Sequence, residues 1–424
     1  MIRSLYRGAT WLSAPLLRRH LARRVPQGKE EAERIGERYG KASLSRPPGR
    51  LGWLHGASVG ETQSLLPLIA ALTARQPDLT LLVTTGTVTS ARLLARRRPP
   101  RTLHQYLPLD RQAWVARFLD HWRPDFALWV ESELWPNLLG EANRRGIPLG
   151  LVNGRLSARS QSRWALAGSL IRPLLKGFRV VLAQDSAQAA RLASLGARSP
   201  QCLGNLKFAA DPLPADETAL AELRRALGAR EIWLAASTHT GEEAIMAAAH
   251  GALEARHPGL LTIIAPRHVE RAPEIAAELR AAGWQVARRS QGDALTPATQ
   301  IYLADTMGEL GLFYRLAPVA FVAGSFRWQG HNPFEPALLG AAVLSGPQVA
   351  NFRDIFDRMA AAGAVTLAAE AELPAAIEAL LADAQAAGAR ARAFAGAERA
   401  GILERILAAL APVTDPPTTD RPHA

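Results

Sequence analysis

The chain has 424 residues, 48% hydrophobic and 21% charged. That excludes a disordered chain and leaves room for two or three domains of ~100–200 residues each. Lys and Arg total 50 against 38 Asp and Glu, a net +12, and Lys29, Lys41, Lys176 and Lys207 are the only lysines. The lone cysteine, Cys202, excludes an internal disulfide framework and a cysteine-based structural zinc site. The arginine excess is consistent with a generally basic surface. It also leaves open a nucleic acid, an anionic membrane leaflet or a phosphorylated substrate as partner.

Residues 1–45 read as an N-terminal membrane-associating helical segment. The apolar part, up to Leu17, is shorter than the ~20 residues a spanning helix needs, and Arg3 and Arg7 interrupt it. Trp11, Leu12, Leu16 and Leu17 fit one face of an interfacial helix whose arginines meet lipid phosphates. The plainer alternative is an amphipathic helix packed on its own domain. Residues 27–40 carry Glu, Lys and Arg at helical spacing.

From residue 51 strand and helix signals alternate. Strands are expected at Leu51–Leu54, Leu79–Thr85, Phe126–Val130, Leu149–Asn153 and Val180–Ala183, with helices following most of them. The Pro-rich segment Asp211–Asp216 breaks the rhythm. It then restarts with strands near Ile232, Leu260, Gln285, Ile301, Val319 and Ala342. The pattern predicts an α/β chain of two doubly wound halves, 46–210 and 217–411, around a cleft, with a disordered tail at 412–424.

Several strand-to-helix turns carry polar residues. His55-Gly-Ala-Ser-Val-Gly-Glu61 places a carboxylate in a first helical turn. There it can act as a general base or simply cap the helix. The dipole at that end lowers a carboxylate pKa, so a working base needs burial to raise it. Glu131-Ser132-Glu133 lies between Trp129 and Trp135 and reads as either a site or a polar knot, with Ser132 able to cap. Lys207 near the domain boundary can offset negative charge, or is a solvated lysine. Ser237–Glu243 opens another helix with backbone N–H groups that suit a phosphate. Arg267 at a strand end suits a phosphate contact, although a surface arginine is the plainer reading. Asp305–Leu310, with Gly324–Pro336, has the glycines, Asn and Glu that suit a nucleotide sugar. There is no G-x-x-x-x-G-K-[ST], no G-x-S-x-G, no H-E-x-x-H and no convincing metal cluster in the sequence.

Taken in order, these motifs resemble the Kdo (3-deoxy-D-manno-octulosonic acid) transferases of lipopolysaccharide synthesis. The likeness runs from Glu37-Arg-Tyr-Gly40 to Phe352. It includes Ser58–Glu61, Glu131–Asn137, Asn153–Ser160, Gly204–Phe208, Ser237–Glu243, Pro266–His268, Asp305–Leu310 and His331–Pro336. The resemblance implies a GT-B fold, two Rossmann-like domains around a central cleft. It implies inverting, metal-independent transfer of Kdo from CMP-Kdo to a lipid A precursor (lipid IVA), with no cofactor. The expected setting is the cytoplasmic face of the inner membrane, against its anionic leaflet.

Carried over, Glu61 matches the catalytic base, and Glu131 and Lys207 match transition-state stabilisers. Pro266, Arg267, Met307, Gly308, Glu309, Asn332, Pro333, Phe334 and Glu335 match CMP-binding positions. Three departures stand out: Ser132 where Thr is common, a loop before His331 one residue short, and a weaker N-terminal anchor. The alternative within the fold is a transferase using another nucleotide sugar. Nucleic-acid binding is disfavoured, since no basic run carries interleaved aromatics.

Overall fold

The computed structural model describes residues 2–97, 99–131 and 133–416. The chain divides into two compact units, residues 1–210 with 399–424, and residues 211–398.

In the first unit two helices, α1 (Ile2–Leu12) and α2 (Ala14–Arg24), precede a 3-10 segment at Ala32–Tyr39. The sheet strands are β1 (Leu51–His55), β2 (Thr80–Thr85), β3 (Thr102–Tyr106), β4 (Phe126–Val130), β5 (Leu149–Gly154), β6 (Phe178–Ala183) and β7 (Gln201–Cys202). Between them run α3 (Val59–Arg75), α4 (Val88–Arg97), α5 (Gln112–Trp122), α6 (Pro136–Arg144), α7 (Ala158–Leu166), α8 (Gly168–Lys176) and α9 (Ser186–Ser194). All strands pair in parallel in the order β3-β2-β1-β4-β5-β6-β7. Helices cover both faces, so β1 and β4 are buried at every position and read as unbroken apolar runs. Trp53, Phe118, Trp122 and Trp129 pack the core on one side.

The second unit repeats the plan. Its strands are β8 (Ile232–Thr238), β9 (Leu261–Pro266), β10 (Val286–Arg288), β11 (Ile301–Leu303), β12 (Val319–Val322), β13 (Ala342–Ser345) and β14 (Thr366–Leu367). Its helices are α10 (Glu217–Leu227), α11 (Glu242–Glu254), α12 (Ala272–Ala281), α13 (Leu310–Leu316), α14 (Phe334–Leu338), α15 (Arg353–Ala361) and α16 (Leu373–Ala382). The parallel order is β10-β11-β9-β8-β12-β13-β14. The α/β class and the two parallel sheets agree with the sequence reading.

Both sheets reverse direction of growth beside their first strand: β1 lies between β2 and β4, and β8 between β9 and β12. A crevice opens at the carboxyl ends of strands at such a switch point, because the connecting helices diverge to opposite faces.

The expected boundaries need two corrections. Residues 399–411, assigned to the second half, pack with the first unit. Helix α17 (Ala384–Thr414) carries buried Ile402, Leu410 and Val413. A side chain at Gly150 would approach Leu410 and Val413 at 3.2 and 3.7 Å, so the glycine leaves room for the helix on β5. Arg50 Nη2 donates to the Thr414 carbonyl at 2.6 Å. The tail expected to be disordered from 412 is therefore helical through Thr414; residues 417–424 lie outside the described residues.

The N-terminal segment is not detached. Tyr6 Oη donates to Asp110 Oδ2 at 2.9 Å, and Asn137 Nδ2 donates to Thr10 Oγ1 at 3.1 Å. Leu21 of α2 is buried. Yet Leu5, Trp11 and Leu12 of α1 and Leu16 of α2 stay 64–71% exposed. Among the described residues no helix is long and apolar enough to cross a membrane.

Candidate functional site

Glu61 sits in the first turn of α3, beside the switch point of the first sheet. Ser58 is the N-cap: its Oγ accepts from the Glu61 N–H at 3.3 Å. In return the Ser58 hydroxyl donates to Glu61 Oε1 at 2.9 Å and the Ala57 N–H donates to Oε2 at 2.8 Å. So Glu61 does cap its helix. A carboxylate has about four lone-pair positions, so two such bonds leave acceptor capacity free.

The opposing forces on its proton now have a sign. Burial raises the Glu61 pKa above the ordinary carboxylate value. The hydrogen bonds from Ala57 and Ser58 pull it down, and the nearby Glu131 and Glu133 carboxylates add to the rise. Burial prevails. The condition that the helix dipole placed on a general base is met.

Glu61 lines a cavity of about 390 Å³ within this unit. His55, Ser58, Thr87, Glu133 and Trp135 share its wall, and α2 adds His20, Leu21 and Arg24. The wall is thus built from the turns after β1, β2, β3 and β4, with α2 against it.

The two carboxylates after β4 separate in space. Glu131 accepts an ion-pair contact from Lys207 Nζ at 2.6 Å. Glu133 instead faces the cavity with Glu61, and its own pKa is raised by burial against a lowering hydrogen bond from Trp135. One carboxylate of this tripeptide is thus paired and the other faces an opening. Ser132, the expected cap, lies outside the described residues. Glu133 had no assigned role in the sequence. Alternation along an extended chain would put it on the same side as Glu131, and the left-handed φ of +58° at Glu131 breaks that alternation.

Lys207 is held by a chain of small supports. It lies in the 3-10 turn Leu206–Ala209, where the Asn205 side chain accepts from its N–H at 3.0 Å. Asn153 Oδ1 at the end of β5 accepts from the Leu206 N–H at 3.2 Å. Asn153 and Glu131 both adopt left-handed φ, +55° and +58°. Such a conformation costs a non-glycine residue of order 1–3 kcal/mol, and it tends to cluster at working sites. Asn153 is thus a supporting residue that its motif did not reveal. Lys207 is not a freely solvated lysine. Glu61, Glu131 and Lys207 all fall in the first unit.

The other nine predicted residues fall in the second unit, at the carboxyl ends of β9, β11 and β12. Pro266 ends β9, and Arg267 is exposed, its N–H donating to the Thr238 carbonyl at 3.0 Å. Met307 is 76% exposed, next to Gly308 with φ of +88°. Glu309 is gripped by Arg289, Nε to Oε2 at 3.1 Å and Nη2 to Oε1 at 2.8 Å, which holds its carboxyl below the ordinary value. Asn332 precedes α14, its Oδ1 accepting from the Phe334 N–H at 3.0 Å. Its Nδ2 also donates to Glu335 Oε1 at 3.3 Å. Burial raises the Glu335 pKa, with Asn332 and Arg267 opposing. Pro333 and Phe334 are buried, and Phe334 packs at 1% exposure. They shape the turn rather than offer a side chain to a ligand.

The family model described as 3-deoxy-D-manno-octulosonic-acid transferase (kdotransferase) matches residues 33–210. A probable mitochondrial 3-deoxy-D-manno-octulosonic acid transferase of Arabidopsis thaliana is 37% identical over 391 residues, covering 89% of this chain and 87% of its own. The 3-deoxy-D-manno-octulosonic acid transferase of Bordetella pertussis is 36% identical over 383 residues, covering 88% and 89%. Among solved structures, a glycosyltransferase of Rickettsia africae superposes with a TM-score of 0.59 at 11% identity, over 87% of this chain and all of that one. That last likeness concerns the fold alone. The GT-B arrangement of two Rossmann-like domains is the architecture these structural neighbours share. With relatives this similar along almost the whole chain, the protein belongs to the 3-deoxy-D-manno-octulosonic acid transferases, a family of glycosyltransferases.

Proposed function

We propose that the protein transfers Kdo from CMP-Kdo to the 6′-hydroxyl of a lipid A precursor, with inversion at the anomeric carbon and Glu61 as the base. The observation that carries this reading is Glu61, buried with a raised proton affinity, in the wall of a cavity at a sheet switch point. The acceptor hydroxyl gives its proton to Glu61 as its oxygen bonds to the anomeric carbon. The bond from that carbon to the phosphate oxygen breaks, and CMP departs with the electron pair. Negative charge grows on the phosphate side. Lys207, oriented by Glu131, offsets negative charge in the first unit, and Arg267 with the Asn332–Glu335 segment holds CMP in the second. Cationic side chains supply this charge stabilisation, so the proposed route uses neither metal ion nor cofactor.

The test is incubation with CMP-Kdo and tetra-acylated lipid A precursor, read by mass spectrometry. The expected product is heavier by one or more Kdo units, and unlabelled CMP competes where UDP does not. An unshifted acceptor beside a working control, or competition by UDP alone, contradicts the reading.

The same proposal places the protein peripherally on an anionic leaflet, at the cytoplasmic face of the inner membrane. The support is the exposed set Leu5, Trp11, Leu12 and Leu16 beside exposed Arg18, Arg19 and Arg23. Replacing Leu12 and Leu16 by Glu should weaken binding to vesicles containing anionic phospholipid by roughly tenfold or more, since each buried leucine contributes about 1.5–3 kcal/mol. Sedimentation measures it, and undiminished binding removes these helices from the contact.

A further inference from the structure

The second unit has a carboxylate that no part of the proposed transfer uses. Glu242, at the first position of α11, is fully buried. Four backbone N–H groups converge on it. His239 and Gly324 donate to Oε2 at 3.0 and 2.8 Å, and Ser325 and Phe326 donate to Oε1 at 3.2 and 3.5 Å. His239 belongs to the turn after β8; the other three begin the segment after β12. These are the two strands on either side of this sheet's switch point. A buried carboxylate is tolerated only where its charge is met by donors, and here amides from both sides of the crevice meet it.

The segment held in this way is the loop that is one residue short. Its base is closed by the Gly330 N–H donating to the Gly324 carbonyl at 2.8 Å. Gly324 has φ of +69°, and a side chain there would come within 2.8 Å of His331 and 3.2 Å of His239. The glycine is required both for the turn and for the close approach of the two imidazoles. Those rings share a hydrogen bond, Nε2 to Nε2 at 2.8 Å, and Trp328 stacks on His239 with centroids 4.9 Å apart. Asn332 and Glu335 follow within four residues of His331. Thr238, the last residue of β8 directly before that turn, accepts the Arg267 N–H at its carbonyl.

We propose that Glu242 is a positioning residue that clasps the loop 324–331 to the turn after β8, and thereby aligns Arg267 and the Asn332–Glu335 segment for the nucleotide. This rests on the donor reading of the second unit. A neutral or shorter side chain at 242 cannot satisfy the four donors. In Glu242→Gln the amide nitrogen turns donors toward two of them, and in Glu242→Asp the carboxylate falls short by one methylene.

The experiment uses the full chain, CMP as the probe and hydrogen exchange as a second readout. In Glu242→Gln the amides of Gly324, Ser325 and Phe326 should exchange at least roughly tenfold faster, with those of β8 and β12 unchanged, and CMP affinity should fall by roughly 10- to 100-fold. Glu242→Asp should fall between wild type and Glu242→Gln in both readouts, and serves alone if Glu242→Gln does not fold. Unchanged exchange at these three amides overturns the clasp. Faster exchange with undiminished CMP affinity overturns the positioning role and leaves Glu242 structural. If wild-type protein binds no CMP, the donor reading fails on its own, while the exchange result still judges the clasp.

Discussion

Glu61→Gln should lower transfer by roughly 10²–10⁴-fold while CMP affinity stays at its wild-type value. The magnitude is that of a proton transfer in the transition state. The substitution keeps the shape of the side chain. It keeps an oxygen for the Ala57 N–H or the Ser58 hydroxyl, so α3 retains most of its cap. What it removes is the ability to take a proton. Initial rates with CMP-Kdo and acceptor, beside CMP titration of the same sample, separate the two effects. A Glu61→Gln protein transferring at the wild-type rate would sink the assignment. The pH profile supplies the second check. Glu61 works only when deprotonated, and burial with the two neighbouring carboxylates raises its pKa. The acid limb of kcat/KM should therefore lie above the ordinary carboxylate range near 4.5, with activity lost as pH falls through it and regained as pH rises. A limb at or below that value would mean that the base is elsewhere.

Lys207→Met should cost roughly 10²–10³-fold in kcat, the scale of losing one preorganised charge from an active site. Glu131 then loses its ion-pair partner, with its side chain only 13% exposed. If the pair acts as a unit, Lys207→Met combined with Glu131→Gln should be little worse than the worse single variant. Steady-state rates of the four proteins complete the cycle. Full additivity would mean that each residue acts alone. Wild-type kcat in a folded but less stable Lys207→Met would make the pair structural. The supports behind Lys207 predict that the effect is positional as well as electrostatic. Asn153 and Asn205 fix the 3-10 turn, and with it the backbone from which the ammonium reaches Glu131.

Strands and helices were legible wherever burial imposes one periodicity. Phe126–Val130 and Val319–Val322 are buried throughout; the expected bounds of the first match the observed ones, and the second starts where expected. β3 was missed because Thr102-Leu-His-Gln-Tyr106 is an edge strand with polar positions. His104 meets Arg34, and Gln105 accepts from Trp122, so no apolar run marks it. α7 was missed because it buries no residue and thus shows no core stripe. The first unit's closing helix was misassigned because α17 is Ala-rich along its length, and nothing local says which core its last four turns enter.

Glu61 and Lys207 stood out by their places after strands, but a helix cap and a solvated lysine fitted the local sequence as well, and their roles came from the family resemblance. Local chemistry thus determined the class of fold, the candidate turns and the residue types in them. Three things were decided only by tertiary structure: the split between Glu131 and Glu133, the rise in proton affinity at Glu61, and the hold of Glu242 on amides 82 to 84 positions away. Each depends on which strands become neighbours, and strand order is set by long-range pairing and burial rather than by the spacing of residues along the chain.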